Sequence, residues 1–299
     1  MDKVEAAVRH CYSTWGESYY DDYYSDKASY PPVHRDIIRR ELEAHRGKNL
    51  LDVGCGPASM LRDLTDLDLD LFGFDLTPEM VIECKKVMLS FEVEESHFWE
   101  GSMVNQSDFY RSPKAPEKFD ASICVGVLPH IPVEHDETVF KNIRACLRED
   151  GLAIVQARNE LFALFTFNRY SSDLLETRLV PKEELEEEIG GEKTRKIFNE
   201  MKDRFRMDLP PIRKGKEDEP GYDEVLSRTH NPFEIREQFA KAGFRNVRTL
   251  FYNFHILPPM LKVEAPEAFV KLSMAMEDNP EDWRGHFMAS AFLITGLAE

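Results

Sequence analysis

The chain has 299 residues, of which 42% are hydrophobic and 31% charged, and its formal net charge is −17. This length and composition predict a globular protein with a sizeable buried core. The acidic balance disfavours nucleic acid and anionic membrane surfaces as partners, because their phosphates would be repelled. The basic residues at 213–216 form only a short stretch, and acidic residues follow at 217–219. We therefore predict a small-molecule partner, and neither a nucleic acid nor a membrane.

The cysteines and the apolar segments predict a cytoplasmic location. None of the five cysteines belongs to a C-x-x-C pair, so free thiols in a reducing compartment are expected. The chain does not open on a signal-peptide pattern, and no apolar run reaches the ~18 residues of a membrane span. No group of His, Cys, Asp and Glu has the spacing of a metal site, so we predict no metal. The sequence is compatible with a homodimer but contains no pattern that indicates one.

Strand-like and helix-like segments alternate from residue 48 to residue 158. This alternation predicts a parallel sheet with helices on both faces. The predicted strands are residues 48–54, 69–76, 96–101, 119–128 and 151–158, and helices are predicted at 57–66, 78–90 and within 133–151.

The alternation stops at Arg158 and resumes near Asn231. We interpret residues 159–230 and about 255–285 as two insertions into one domain. The acidic run at 183–192 predicts an exposed helix face. The remaining predicted elements are a helix at residues 231–244 and strands at 245–254 and 286–298.

A turn containing Gly54 and Gly56 joins the first predicted strand to the segment that follows it. A dinucleotide-binding turn would have a third glycine where this chain has Ser59, and Asp52 would repel an incoming pyrophosphate. The same carboxylate suits a ligand that carries a positive amine. Asp75, at the end of the second strand, is placed to accept the hydroxyls of a ribose. A P-loop is excluded because no G-K-[ST] follows.

The order and spacing of four motifs resemble those of class I S-adenosylmethionine-dependent methyltransferases. The motifs are "LLDVGCGPAS", "GFDLTPEM", "FDASICVGVLPHIP" and "CLREDGLAIVQ". The resemblance covers residues 48–158 and, more weakly, 231–254 and 286–298. It implies a Rossmann-like, doubly wound α/β fold whose seven-stranded sheet is mostly parallel with an antiparallel last strand. The implied plan is a helical N-terminal lid segment (1–47), a cofactor-binding core (48–158), a helical substrate-covering insertion (159–230) and completion of the core (231–299).

The resemblance implies S-adenosylmethionine as the cofactor. The two glycines would let the backbone approach its methionine part, Asp52 would hold its amine and Asp75 its ribose. One departure is Ala58, where the family often has a third glycine. The segment after the third strand lacks the acid usual in the family. The cofactor-binding residues implied are Asp52, Gly54, Gly56, Asp75, Leu76 and Met80 near the adenine, Ser102 and Met103 near its amine, and Val125 below the sulfonium.

Structural roles are alternatives for several of these residues. Asp75 would also serve as a capping acid before Thr77 and Pro78. Met80 and Met103 would serve equally as core packing, because methionine fills irregular gaps.

The N-terminal segment at residues 11–34 is rich in aromatic residues. The resemblance implies helices that fold over the cofactor, where an aromatic lid would exclude water and contact the sulfonium cation. Trp15, Tyr19, Tyr20 and Tyr23 are the candidates, with Tyr20 assigned to the cofactor site. The alternative is a helix that packs its rings against the domain.

His130, directly after the fourth strand, is the predicted general base. Methyl transfer to a hydroxyl needs removal of a proton, and an imidazole with a pKa near neutrality suits that role. The alternative is a histidine that lines the pocket or bonds the backbone. His230, His255 and His286 are lesser candidates.

We expect methyl transfer to a hydroxyl of a sugar or related metabolite, since a further resemblance is to methyltransferases of bacterial polysaccharide and natural-product pathways. The alternatives are an N-methyltransferase acting on an amine or amino sugar and a non-catalytic protein that binds S-adenosylmethionine. A dinucleotide oxidoreductase is the outside alternative.

Overall fold

The computed structural model describes residues 3–13, 19–25, 31–208 and 225–299. The chain divides into two compact units. The first comprises Met1–Arg158, Arg213–Leu250 and Phe292–Glu299, and the second comprises Asn159–Ile212 and Phe251–Ala291. The two predicted insertions therefore contribute most of their described residues to a single unit.

A seven-stranded sheet with the order β3-β2-β1-β4-β5-β7-β6 organises the chain. β1 pairs in parallel with β2 and β4, β2 with β3, and β4 with β5, and the last strands are antiparallel. The predicted fold class is confirmed. The strands are Asn49–Val53 (β1), Asp70–Asp75 (β2), Phe98–Glu100 (β3), Phe119–Cys124 (β4), Leu147–Arg158 (β5), Phe244–Phe254 (β6) and Ala289–Ala298 (β7).

The register of β1 places the site. Its apolar residues are almost completely buried, as expected for a parallel strand covered on both faces. Asp52 lies beside Gly73 of β2 and Ile123 of β4. The carboxyl ends of these three strands therefore meet at one edge of the sheet, where ligands bind in open α/β folds.

The helices of the first unit cover this sheet. α4 begins with Pro78, as the sequence predicts, because proline at the first helical position loses no hydrogen bond. The Asn231 side chain caps α10 by accepting a hydrogen bond from the Phe233 amide. These helices are Lys3–Tyr12 (α1), Tyr19–Tyr23 (α2), Val33–His45 (α3), Pro78–Leu89 (α4), Asp136–Cys146 (α5) and Pro232–Lys241 (α10).

The helix predicted at residues 57–66 is wrong. The structure has a turn there, followed by one short 3-10 helix at Leu61–Leu64. Gly54, Gly56 and Ala58 have φ angles of 84°, 50° and 61°, which a right-handed helix cannot contain. The loop therefore stays irregular until after Ala58.

The second unit is largely helical. The Asn159 amide donates to the carbonyls of Gly285, His286 and Ala289 at 3.1, 2.9 and 2.8 Å, so it ties the two chain segments of this unit together. In α8 no residue is buried, which agrees with the exposed face predicted for the acidic run. The helices are Ala163–Thr166 (α6), Arg169–Leu174 (α7), Lys182–Ile189 (α8), Gly191–Lys202 (α9), Pro266–Met276 (α11) and Gly285–Met288 (α12).

Two sequence predictions bear on the whole chain. Across the described ranges, no helix combines the length and apolar character needed to cross a membrane. All five cysteines are buried free thiols. A substrate-covering role for residues 159–230 stays a prediction.

Candidate functional site

A cavity of about 310 Å³ lies in the first unit, at the carboxyl ends of the strands. Its size is at the lower end of the range of small-molecule sites. The structure brings nearly all the predicted site residues to its wall. Those that line it are Asp52, Gly54, Gly56, Asp75, Leu76, Met80, Ser102, Met103, Val125 and His130.

The glycine loop is held against β2 by its own backbone. The amides of Gly54 and Cys55 both donate to the Phe74 carbonyl, at 2.8 and 3.0 Å. A Cβ added to Gly54 would lie 2.2 Å from Cγ2 of Val127, whereas a Cβ added to Gly56 would have no atom within 4 Å. Gly54 thus permits close packing, while Gly56 faces open space.

Asp75 has the capping role that the sequence left open, and it also lines the cavity. Its Oδ1 accepts from the Thr77 amide at 2.8 Å and its Oδ2 from the Gly56 amide at 3.0 Å. The carboxylate therefore braces the glycine loop and the start of α4 while lining the cavity. An ionised carboxylate can accept about four hydrogen bonds, so two remain for a ligand. Burial raises the pKa of Asp75.

Asp52 is the unusual group in the wall. The residue is only 2% exposed, and among the described residues none forms a hydrogen bond or an ion pair with its carboxylate. Burial, together with the negative charge of Asp75, raises its pKa well above the ordinary carboxyl value. A buried carboxylate of this kind is stabilised in its ionised form by a cation.

Near Ser102, which follows β3, the cavity wall contains a carboxylate that no sequence motif indicates. The Ser102 hydroxyl donates to Oε1 of Glu5 in α1 at 2.5 Å, and Glu5 lines the cavity. The Ser102 amide donates to Oδ2 of Asp108 at 2.9 Å. No local pattern could indicate Glu5, because it lies 97 positions away from Ser102.

The aromatic residues that the N-terminal segment contributes to the cavity wall differ in part from those predicted. Tyr12 and Tyr24 line the cavity, whereas Tyr20 is not part of the wall. The Tyr20 hydroxyl donates to Asp63 at 3.4 Å, and the Arg62 guanidinium lies 4.0 Å from its ring centroid. The ring of Tyr20 stacks on that of Tyr24, so Tyr24 occupies the inner position.

Three further candidates for the aromatic lid are Trp15, Tyr19 and Tyr23. Trp15 lies outside the described residues, as does the side chain of Tyr19. Tyr23 is exposed and is not among the residues of the wall.

His130 lies in the wall with both ring nitrogens engaged. Nδ1 lies 2.6 Å from the Leu226 carbonyl, which can only accept, so Nδ1 carries the proton. Nε2 then accepts from the Tyr12 hydroxyl at 3.0 Å. Burial and the positive charge of Arg158 lower the pKa of His130 to about 4. The expected pKa near neutrality is wrong, because the sequence does not reveal this burial.

None of the lesser candidate bases lies in the wall of the cavity, whereas one cysteine does. His230, His255 and His286 do not line the cavity. Cys55 does, but its contact with the Cys84 thiol and its burial raise its pKa. A buried thiol of this kind packs against its neighbours and does not act as a nucleophile.

Comparison with known proteins identifies this arrangement. A family model described as a methyltransferase domain matches residues 50–151, which contain the glycine loop, Asp52, Asp75 and His130. Residues 50–151 form a methyltransferase domain, and their motifs and fold agree with the class I S-adenosylmethionine-dependent type.

Two curated relatives of this methyltransferase domain carry the same name. A ubiquinone biosynthesis O-methyltransferase from Actinobacillus pleuropneumoniae serotype 7 is 27% identical over 131 residues, which are 43% of this chain and 53% of the relative. One from Xanthomonas euvesicatoria is 28% identical over 154 residues, covering 50% and 59%. The chain thus spans about half the length of the curated relatives it matches.

Solved structures share the fold of the methyltransferase domain. A magnesium protoporphyrin IX methyltransferase from Synechocystis PCC 6803 superposes with a TM-score of 0.54 at 14% identity, over 99% of this chain and 100% of the other. An S-adenosylmethionine-dependent methyltransferase from Clostridium acetobutylicum gives 0.53 at 12% identity, over 93% and 96%. At these identities the likeness concerns the fold alone.

Substitution of the two loop glycines should separate packing from ligand access in the methyltransferase domain. Gly54→Ala should lower the free energy of unfolding by about 2–5 kcal/mol, because left-handed strain adds to the clash with Val127. Gly56→Ala should cost only the strain, about 1–2 kcal/mol. Urea denaturation measures both, and equal losses would contradict the packing argument.

Replacing Asp52 by Asn should stabilise the ligand-free methyltransferase domain at neutral and alkaline pH. Because the pKa of Asp52 is raised by folding, stability is full at acid pH and is lost as the pH rises through the raised pKa. The side-chain amide of Asp52→Asn does not titrate, so this variant has no such loss. The melting temperatures of the wild type and of Asp52→Asn, measured from about pH 4 to about pH 9, should therefore diverge as the pH rises.

The matched control for this experiment is Asp70→Asn, at the exposed start of β2. It should follow the wild-type curve. A wild-type protein that melts above Asp52→Asn at alkaline pH would show that the buried carboxylate is already compensated.

Proposed function

We propose that this methyltransferase domain binds S-adenosylmethionine in the cavity and transfers its methyl group to a hydroxyl of a small acceptor. The observation that carries the proposal is the buried carboxylate of Asp52, whose charge no described residue neutralises. The ammonium of the cofactor's methionine part is a cation of suitable size. Asp75, on the neighbouring strand, would accept the ribose hydroxyls with its remaining lone pairs.

The charge of Asp52 also opposes a dinucleotide cofactor. Asp52 lines the cavity next to the glycine loop, where a dinucleotide would place its pyrophosphate. Its carboxylate would repel the phosphates. The donors of the loop are also partly used, since the amides of Gly54 and Gly56 bond to Phe74 and Asp75.

The remainder of the wall suits the other parts of the cofactor. Met80, on α4, and Met103 are buried apolar residues that would contact the adenine. Glu5 and Ser102 add polar atoms at the β3 end of the wall. After β4 the backbone at Val125 and Gly126 would pass below the sulfonium, and the Gly126 amide is fixed by donation to Gln156 at 2.9 Å.

Positioning of the acceptor would supply most of the rate enhancement. Methyl transfer is an in-line displacement at carbon, so a fixed alignment of the acceptor oxygen and the sulfonium lowers its entropic cost. A largely apolar wall also excludes water, which would otherwise compete with the acceptor. His130 would be the base that takes up the proton released when the acceptor hydroxyl is methylated.

An oxygen acceptor is favoured over a nitrogen acceptor. The relatives that match the domain carry the name O-methyltransferase, and a neutral histidine in the wall fits removal of a hydroxyl proton. A sugar or related metabolite hydroxyl is the acceptor that the sequence suggests, and a phenol is the alternative within the hydroxyl class. A cytoplasmic location, the lack of nucleic-acid and membrane partners, and a homodimer all stay predictions.

Calorimetry with S-adenosylhomocysteine tests the cofactor assignment. The compound should bind to the wild type, and Asp75→Ala should weaken binding by about 1.5–3 kcal/mol, the scale for losing hydrogen bonds to a charged group. Asp75→Asn keeps one oxygen for the glycine loop and should retain the fold if the alanine variant does not. Asp70→Ala, at the opposite end of the same strand, should bind like the wild type.

NADH is the competing ligand in this experiment. Tight binding of NADH together with no binding of S-adenosylhomocysteine would overturn the assignment to a methyl-donor cofactor.

An acceptor panel tests the reaction. Labelled methyl transfer from S-adenosylmethionine should be measured to catechol, methyl glucoside, glucosamine and tyramine, with the methylated atom located by mass spectrometry. We expect O-methylation, and His130→Asn should reduce kcat by about 10²–10⁴-fold, the usual contribution of a general base. Affinity for S-adenosylhomocysteine should change little.

The position of the methyl group decides between the alternatives. Methylation of nitrogen in glucosamine or tyramine would favour the N-methyltransferase. Tight binding of S-adenosylhomocysteine without transfer to any acceptor would favour the non-catalytic protein.

A further inference from the structure

The Tyr12 hydroxyl is hydrogen-bonded to His130 in the wall of the cavity. Tyr12 is the last residue of α1 and lines the cavity. Its hydroxyl donates to Nε2 of His130 at 3.0 Å, and the two rings meet edge to face with centroids 5.6 Å apart. The ring is held in place because Tyr12 packs on the buried cluster of Cys11, Met80 and Val225.

The opposite nitrogen of His130 is fixed by residues 225–230. Nδ1 donates to the Leu226 carbonyl at 2.6 Å. Two residues further on, the Arg228 amide donates to the Pro129 carbonyl at 2.8 Å, and its guanidinium pairs with the buried Asp136. This anchored segment sets the tautomer of the imidazole, so the lone pair of Nε2 points to Tyr12.

Nε2 has one lone pair with which to receive a proton from an acceptor. The Tyr12 hydroxyl already occupies that lone pair, so an acceptor hydroxyl would have to displace it. We propose that Tyr12 is the catalytic residue that receives the acceptor's proton while it passes its own proton to His130. This proposal rests on the proposed function and names the path of the proton within it.

The step balances in atoms and charge. The acceptor oxygen forms a bond to the methyl carbon, and the carbon–sulfur bond breaks with its electron pair going to sulfur, which leaves a thioether. The acceptor's proton moves to the Tyr12 oxygen, and the Tyr12 proton moves to Nε2 of His130. The imidazolium keeps its Nδ1 bond to Leu226 and later releases its proton to solvent.

The charge balance suits a buried site. The cavity loses the positive charge of the sulfonium as His130 gains one, so the number of buried charges is unchanged. Among the described residues, the charged groups around the imidazole include Arg158 and the ion pair of Arg228 with Asp136, and Glu5, Asp52, Asp75 and His135 line the same cavity. A weak base is sufficient, because the acceptor's proton becomes strongly acidic once its oxygen begins to bond to carbon.

Tyr12→Phe removes the hydroxyl and keeps the ring. With the hydroxyl compound methylated fastest in the acceptor panel, kcat should fall by about 10²-fold or more, while KM and the affinity for S-adenosylhomocysteine stay within about threefold. Tyr110→Phe is the matched control, since Tyr110 also bonds a carbonyl, that of Ala145, but does not line the cavity. Its kcat should equal that of the wild type.

The pH profile separates proton transfer from a structural role. Because the pKa of His130 is about 4, the wild-type kcat should not decline on the acid side until the pH approaches that value. In Tyr12→Phe the acceptor must ionise by itself, so kcat should rise about tenfold per pH unit below the acceptor's pKa. A Tyr12→Phe profile parallel to the wild type, or an unchanged kcat, would overturn the proposal.

Nitrogen NMR of histidine-labelled protein tests the relay without an acceptor. Nε2 of His130 should be unprotonated, and its resonance should move in Tyr12→Phe while that of Nδ1 stays. A proton on Nε2 in the wild type would overturn the proposal even if methyl transfer is observed. Failure of S-adenosylhomocysteine to bind the wild type would instead refute the proposed function.

Discussion

A buried carboxylate without a partner among the described residues is the constraint on which the site depends. Asp52, the residue before the last of β1, lies between two parallel neighbouring strands and is shielded from water. An ionised carboxylate in such surroundings costs folding free energy unless a cation joins it. Asp75 adds to this cost through its own charge. The fold by itself therefore favours a ligand that carries a positive charge to this edge of the sheet.

The glycine loop next to Asp52 contains backbone strain. Gly54 and Gly56 adopt left-handed conformations at no steric cost, but Ala58 adopts one with a side chain attached, which costs about 1–2 kcal/mol. Strain of this kind persists only where surrounding contacts enforce it. Here the enforcing contacts are hydrogen bonds from the loop to the Phe74 carbonyl and to Asp75. The irregular loop thus replaces the expected helix and keeps its backbone close to the cavity.

Segments that are distant in the chain complete the wall. α1 brings Glu5 to Ser102 and Tyr12 to His130, and Leu226 reaches His130 from the other side. These contacts place a neutral imidazole and a hydroxyl against a cavity that the carboxylates of Asp52, Asp75 and Glu5 also line. The wall therefore combines acceptors for a cation at the β1 and β2 ends with a proton acceptor after β4.

The sequence by itself determined the sheet and the positions of Asp52 and Asp75. Buried parallel strands require apolar runs, and their carboxyl ends meet at one edge, so local pattern and chain order were sufficient. The tertiary structure decided the irregular turn at Ala58, the place of Tyr12 in the cavity wall and the lowered pKa of His130. Each of these depends on burial or on contacts between residues up to 118 positions apart, and no local pattern of residues encodes such contacts.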